Sequence, residues 1–138
     1  MLDPSRPAHA HADRRLRSEQ VAWLTTVRVD GQARSSPVWF LWDGDSFLLH
    51  SQPDAQKVRN VGANPRVSLH LGDDGSGGDV VSVEGTAAVE PDSPRADRLE
   101  GYLARYAAAI EALGYEPGPF ARTSSTAIRV RPTRARVW

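Results

Sequence analysis

The chain has 138 residues, 40% hydrophobic and 25% charged, which fits one globular domain and excludes a disordered chain. Its 17 basic and 17 acidic side chains cancel, so no global basic field draws it to nucleic acid or an anionic membrane. Cysteine is absent, which excludes disulfides, thiolate metal sites and a cysteine nucleophile.

Residues 1–12 carry Pro4 and Pro7 among alternating Ala and His and predict a flexible arm, followed by one domain over 13–138. His9 and His11 have no third ligand nearby, so no metal site is expected. The arm lacks an apolar signal core and no apolar run is long enough to span a bilayer, so the expectation is a cytoplasmic protein. Residues 13–20 predict a short polar helix. A first strand runs from Val21 to Val29 and is expected to put Trp23, Thr25, Val27 and Val29 on one face, with Trp23 in the core. Asp30-Gly31 is a hairpin turn signal. A second strand covers 33–42, with Pro37 marking an edge or bulge, and a third covers 46–51 after the turn Asp43-Gly44-Asp45.

Asp54 is expected to cap a helix over 54–61 that Asn64-Pro65 closes. Residues 66–71 and 79–89 predict two further strands, with Gly85 as a bulge and a Gly/Asp loop between them. Leu99, Tyr102, Leu103, Tyr106, Ile110 and Leu113 make one stripe, so residues 94–113 read as a single amphipathic helix ended by Gly114. Residues 115–123 read as a Pro/Gly loop, and 126–130 and 134–138 as closing strands joined at Pro132. The predicted class is α+β, an antiparallel β-barrel with flanking helices.

No hydrolase nucleophile elbow, phosphate-binding loop or dinucleotide glycine fingerprint is present. His50 and His70 lie in strands between apolar residues and read as structural. Gly75-Ser76-Gly77-Gly78 precedes no helix, so it reads as a hairpin loop, not a phosphate cradle. The informative segment is 51–61. Lys57 is the only lysine among 17 basic residues. It shares a helix face with Asn60, while Val58 and Val61 share another that can pack inward. With Ser51 at the preceding strand end and the free amides of the helix start, this makes a small anion-binding corner. A plain surface helix explains the same spacing.

The ordered set of segments Trp23-Leu24-Thr25-Thr26-Val27, Asp30-Gly31, Pro37-Val38-Trp39-Phe40, Ser51, Lys57-Val58-Arg59-Asn60, Asn64-Pro65-Arg66-Val67, Val83-Glu84-Gly85-Thr86-Ala87 and Ile128-Arg129-Val130-Arg131-Pro132-Thr133-Arg134 resembles the pyridoxamine-phosphate-oxidase-like split-barrel family. It is most similar to the actinobacterial subgroup that uses coenzyme F420. The resemblance implies a six-stranded split β-barrel that pairs as a homodimer, with the cofactor in the groove between the copies. It implies that Ser36, Pro37, Val38 and Trp39 line the cofactor ring and that Ser51 and Lys57, with Arg59 and Asn60 beside them, hold its phosphate. It names no catalytic residue.

This chain departs from the flavin mononucleotide (FMN) oxidases at three positions. Gln56, Ser36 and Leu41 stand where those carry basic residues. A phosphate monoester carries nearly two charges and suits an arginine clamp. The singly charged phosphodiester of F420 suits one lysine, with Arg59, Arg28 or Arg34 along the groove for its acidic tail. The expected activity is hydride transfer to an electron-poor conjugated small molecule, with Trp39, Trp42 or Trp138 as candidate covers for the ring or substrate. An FMN-dependent oxidase or reductase and a non-catalytic flavin, deazaflavin or haem binder remain open alternatives.

Overall fold

The computed structural model describes residues 2–138. Helix α1 (Pro7–Ser18) leads into strands β1 (Val21–Val27), β2 (Ala33–Trp39), β3 (Leu41–Trp42) and β4 (Phe47–Ser51). Helix α2 (Gln56–Ala63) connects to β5 (Arg66–His70) and β6 (Val81–Val89). A 3-10 turn at Ala96–Arg98, α3 (Tyr102–Ala112) and α4 (Pro117–Thr123) precede the last strand, β7 (Thr126–Val137). All strands join one antiparallel sheet in the order β2-β1-β5-β6-β7-β4-β3, curled so that β2 approaches β4. The fold class is therefore α+β and the architecture a half-barrel. No helix among the described residues is long and apolar enough to cross a membrane.

Seven strands form where the resemblance implied six. The segment 33–42 is interrupted at Phe40, whose backbone leaves the ladder to bond the Tyr106 hydroxyl, so it yields β2 and β3. Conversely, 126–130 and 134–138 are one strand. Pro132 sits opposite Gly85 at a register shift and Thr133 is the extra residue, so the missing proline N–H is absorbed in the bulge. A Cβ on Gly85 would lie 2.5 Å from the Arg131 carbonyl oxygen, which is why the bulge takes glycine.

The arm expected over 1–12 is helical from Pro7. Pro occupies the first helical turn, where its lack of an N–H costs nothing, and His9, Ala12 and Leu16 form a buried stripe against the barrel. The Asp13 carboxylate accepts from Trp42 Nε1 at 2.8 Å, and Arg15 reaches the Gly72 carbonyl at 2.7 Å. His9 Nδ1 accepts from the Asp3 N–H, and His11 pairs with Asp79 at 2.9 Å.

Strand β1 turns the other face inward. Ala22, Leu24 and Thr26 are buried, while Trp23 points outward, 40% exposed, opposite Pro37 on one side and His70 on the other. Val29 is not in the strand but in the exposed hairpin. The curled interior near α2 takes small and branched side chains, and the alternation allows either choice of face. The barrel core is built around Leu24, Phe40, Phe47, Leu49, Leu69 and Ile128.

A second apolar cluster lies outside the barrel. Tyr102, Tyr106 and Ile110 of α3 bury against Ala96 and Ala121, with Trp39, Leu41, Leu99 and Phe120 around them. The single helix expected over 94–113 is broken at Gly101, which adopts φ +81°. Residues 115–123 contain α4, because Pro117 falls in its first turn. The Tyr106 hydroxyl joins the two clusters. It accepts from the Phe40 N–H at 2.9 Å and lies 2.7 Å from the Gln20 carbonyl oxygen and 2.9 Å from that of Phe40.

Replacing Tyr106 by Phe strands the buried Phe40 N–H, so Tyr106→Phe is expected to lose about 1–3 kcal/mol in urea unfolding. Gly85→Ala is expected to lose about as much, since strand backbones must separate to admit its methyl.

Candidate functional site

Two clefts meet at Lys57. The first, about 160 Å³, is lined by Thr26, Arg34, Ser35, Ser36 and the start of α2 with Ala55, Gln56, Lys57 and Asn60. The second, about 200 Å³, is lined by Pro37, Val38, Trp39, His50, Lys57, Tyr102, Leu113 and Phe120. Each is smaller than the roughly 300–1,000 Å³ usual for a ligand pocket, but the shared lysine makes them neighbours along one groove.

The polar cleft follows from the hairpin and α2. Strand alternation brings Arg34 and Ser36 beside the helix start, where, among the described residues, the N–H groups of Gln56 and Lys57 have no backbone partner while that of Val58 bonds the Ala55 carbonyl at 3.1 Å. Val58 and Val61 pack against the barrel and roll Lys57 toward the cleft. Ala55, not Asp54, occupies the cap position, and no side chain caps the helix. Among the described residues neither Arg34 nor Lys57 pairs with a carboxylate. Lys57 is half-buried, and this desolvation holds its amine below the ordinary lysine value. An ammonium drawn partly out of water without a counter-ion, flanked by hydroxyls and helix amides, suits an anion such as a phosphate.

The second cleft is aromatic. Trp39 stacks on Tyr106 with ring centroids 4.9 Å apart and lies 5.6 Å from Phe120. His50 meets the Tyr102 ring edge to face at 5.6 Å, and its Nε2 lies 3.3 Å from the Pro94 carbonyl oxygen. His50 Nδ1 is buried without a hydrogen-bond partner, and burial lowers the imidazole pKa. Burial pushes the Tyr102 and Tyr106 phenols up. A flat, largely apolar ring with a charged appendage matches this pairing of clefts, so the donor set fits a flavin-type cofactor.

Of the candidate site residues, the structure brings together Ser36, Pro37, Val38, Trp39, Lys57 and Asn60. Ser51 lies elsewhere: it is buried, paired with Thr126 at the end of β4, and lines neither cleft. Arg59 also points away, because its guanidinium binds the Asp54 carbonyl and Gln56 Oε1. Asn60 is engaged within the fold, donating to Thr26 Oγ1 at 2.9 Å and accepting from Gln56 Nε2 at 2.8 Å. Arg28 is paired with Asp30 at 3.2 Å, which leaves Arg34 as the second cation of the polar cleft. Trp42 is buried against Phe47, and Trp138 is exposed at the far side, donating to the Gly77 carbonyl at 3.2 Å.

Sequence reasoning passed over His50, Tyr102 and Phe120 as site residues. The first two were absorbed into a strand and a helix stripe. Their signal is the position of their polar atoms, which periodicity does not carry.

No curated protein matches the chain. Among solved structures, an F420 reductase is similar, with 26% identity, a TM-score of 0.67, and coverage of 90% of this chain and 94% of that one. A conserved hypothetical protein from Mycobacterium tuberculosis shares 25% identity with a TM-score of 0.73, over 96% of this chain and 84% of that one. The haem storage protein HutZ from Vibrio cholerae, at 16% identity, has a TM-score of 0.66 and coverage of 96% and 95%, and shares the fold. The sequence pattern of the pyridoxamine 5'-phosphate oxidase family matches residues 8–138, nearly the full length described above, and this chain belongs to that family.

Proposed function

We propose that the chain is an F420-dependent oxidoreductase of this family, acting as a homodimer on a conjugated small molecule. The observation that carries the reading is Lys57, a half-buried ammonium without a counter-ion at the junction of a hydroxyl-rich and an aromatic cleft. In this reading Lys57 and the α2 amides hold the phosphodiester, and Arg34 meets the acidic tail. The Pro37–Trp39 backbone lines the ring, and Trp39 and Phe120 keep water from it. A bound reduced deazaflavin supplies a hydride to the substrate.

The preference for a deazaflavin over FMN rests on charge. Gln56 stands beside Lys57 and spends its amide on Asn60 and its carbonyl on Arg59, so no arginine doubles the lysine. A dianionic monoester would meet Lys57 and Arg34 from separate elements of the cleft, without the arginine directly beside the lysine on α2 that suits a bidentate clamp. The similarity to an F420 reductase supports the same choice.

The second copy is proposed from the open sheet face. Val21 and Trp23 stand 41% and 40% exposed beside Pro37, next to the clefts, and a partner on that face would supply their missing wall. Light scattering at micromolar concentration is expected to give twice the chain mass. A monomer overturns this part of the reading.

Fluorescence titration at matched ionic strength is expected to give tighter binding of coenzyme F420 than of FMN, weakening as salt screens Arg34. Micromolar FMN binding without F420 binding overturns the assignment in favour of a flavin enzyme, and a Soret band on haemin addition in favour of a haem binder.

Lys57→Ala is expected to weaken F420 binding by about 1.5–3 kcal/mol, the range of a hydrogen bond to a charged group. The same variant is expected to unfold in urea at an equal or higher midpoint. Desolvation depresses the folded-state pKa, so the charged lysine opposes folding below that value, and the penalty lifts as pH rises to the unfolded value. A lowered midpoint would show that Lys57 is a structural residue.

A further inference from the structure

A third cavity lies apart from the candidate site and shares no residue with it. It measures about 430 Å³, more than twice either cleft at Lys57, and falls within the usual range of ligand pockets. Three segments enclose it: residues 2–4 ahead of α1, one face of α1, and the β3–β4 turn at Gly44.

His9 lines this cavity and is only 9% exposed. Its Nδ1 accepts the Asp3 N–H at 3.0 Å, so the neutral ring carries its proton on Nε2. The turn that sets this tautomer is itself bonded. The Asp3 carboxylate accepts from the Ser5 N–H at 2.9 Å and the Asp3 carbonyl from the Arg6 N–H at 3.0 Å. The His9 Nε2–H meets no acceptor among the described residues.

The charges of the wall do not cancel. Asp13 is its one carboxylate, and both oxygens are taken, one by Trp42 Nε1 and the other by Arg17 Nε, each at 2.8 Å. Arg14 is exposed at the mouth and forms no ion pair among the described residues. Gly44 turns at φ +95°, and without a Cβ it leaves room for the Arg17 guanidinium to lie over the turn. The wall therefore offers guanidinium and imidazole N–H groups with no unused carboxylate, while Leu2, Pro4 and Ala10 make the rest of it apolar.

We propose that this cavity is a second binding site, for a small organic monocarboxylate, held by the Arg14 guanidinium and the His9 Nε2–H with its apolar body against Leu2, Pro4 and Ala10. The planar fork of an arginine matches the two oxygens of a carboxylate. A bare inorganic anion would leave the apolar wall unfilled, and a cation would meet the excess positive charge. The inference is independent of the oxidoreductase reading.

The test titrates the full chain, labelled with nitrogen-15, with benzoate, benzamide and inorganic phosphate at constant ionic strength. The Trp42 indole N–H is the reporter, because its acceptor Asp13 stands in the cavity wall. Benzoate is expected to shift that signal saturably. Benzamide, of the same shape without the charge, and phosphate, without the apolar body, are each expected to bind at least about tenfold more weakly. Arg14→Met removes an exposed guanidinium and is expected to lose about tenfold in benzoate affinity with no change in the urea midpoint. Ala10→Leu, which fills the cavity at constant charge, is expected to weaken benzoate as well. Lys57→Ala is expected to leave the benzoate titration of Trp42 unchanged.

No saturable shift, equal binding of benzoate and benzamide, or unchanged benzoate affinity in Arg14→Met overturns the inference. Phosphate binding as tight as benzoate overturns the carboxylate assignment, since the apolar wall would then contribute nothing. A benzoate shift lost in Lys57→Ala also overturns it, by assigning the binding to the clefts at Lys57.

Discussion

One hydroxyl group sets the relation between the barrel and its helical cover. Where β2 ends, the chain must leave the ladder at Phe40, and a backbone break in a buried place needs new partners. Tyr106 provides them and also reaches the Gln20 carbonyl ahead of β1. Because Trp39 precedes the break and stacks on the same Tyr106 ring, the bond that repairs the backbone also orients the wall of the aromatic cleft. Tyr102, one turn earlier on α3, is carried to its place by the same helix. Barrel, cover and cleft thus share one anchoring side chain.

The opposite end of the groove rests on a different economy. Helix α2 has no capping side chain and is held through its valines and through Asn60, which is buried and satisfied by Thr26 and Gln56. That network fixes the helix orientation without using Lys57. The lysine is left with a desolvated charge and no partner, a local cost that stability alone does not explain. Polar groups left unmatched in a well-satisfied fold are where ligands are recognised.

The strand pattern and the hairpin turns were legible because Asp-Gly pairs and residue alternation act locally. The face of β1 was not. Ala22, Leu24 and Thr26 alternate with Trp23, Thr25 and Val27, and choosing between them needs the position of α2 and of the curled sheet. The stripe of α3 was read with the right period but the wrong length, since Gly101 sits in the left-handed region and ends it early. The N-terminal half of α1, read as an arm ahead of a helix over 13–20, and the whole of α4 were hidden by prolines that lie in their first turns. In the site, Lys57 stood out by its rarity and spacing. Ser51 and Arg59, also singled out, do not line the two clefts, because a strand end and a helix face do not specify direction. Tyr102 was invisible because a tyrosine in the wall of a cleft has the same periodicity as one packed wholly within the fold.

Strand β7 has a consequence for how the chain acquires its shape during synthesis. Residues 126–130 pair with β4, and 128–137 pair with β6, so among the described residues the same short stretch is the only hydrogen-bonded link between the β4–β3 hairpin and the rest of the sheet. Until that stretch leaves the ribosome, β4 and β6 each present an open edge and the sheet exists as two halves. Closure therefore joins residues some eighty positions apart, a late and entropically costly event that slows folding. The nascent protein must keep those apolar edges from strangers until its last strand arrives.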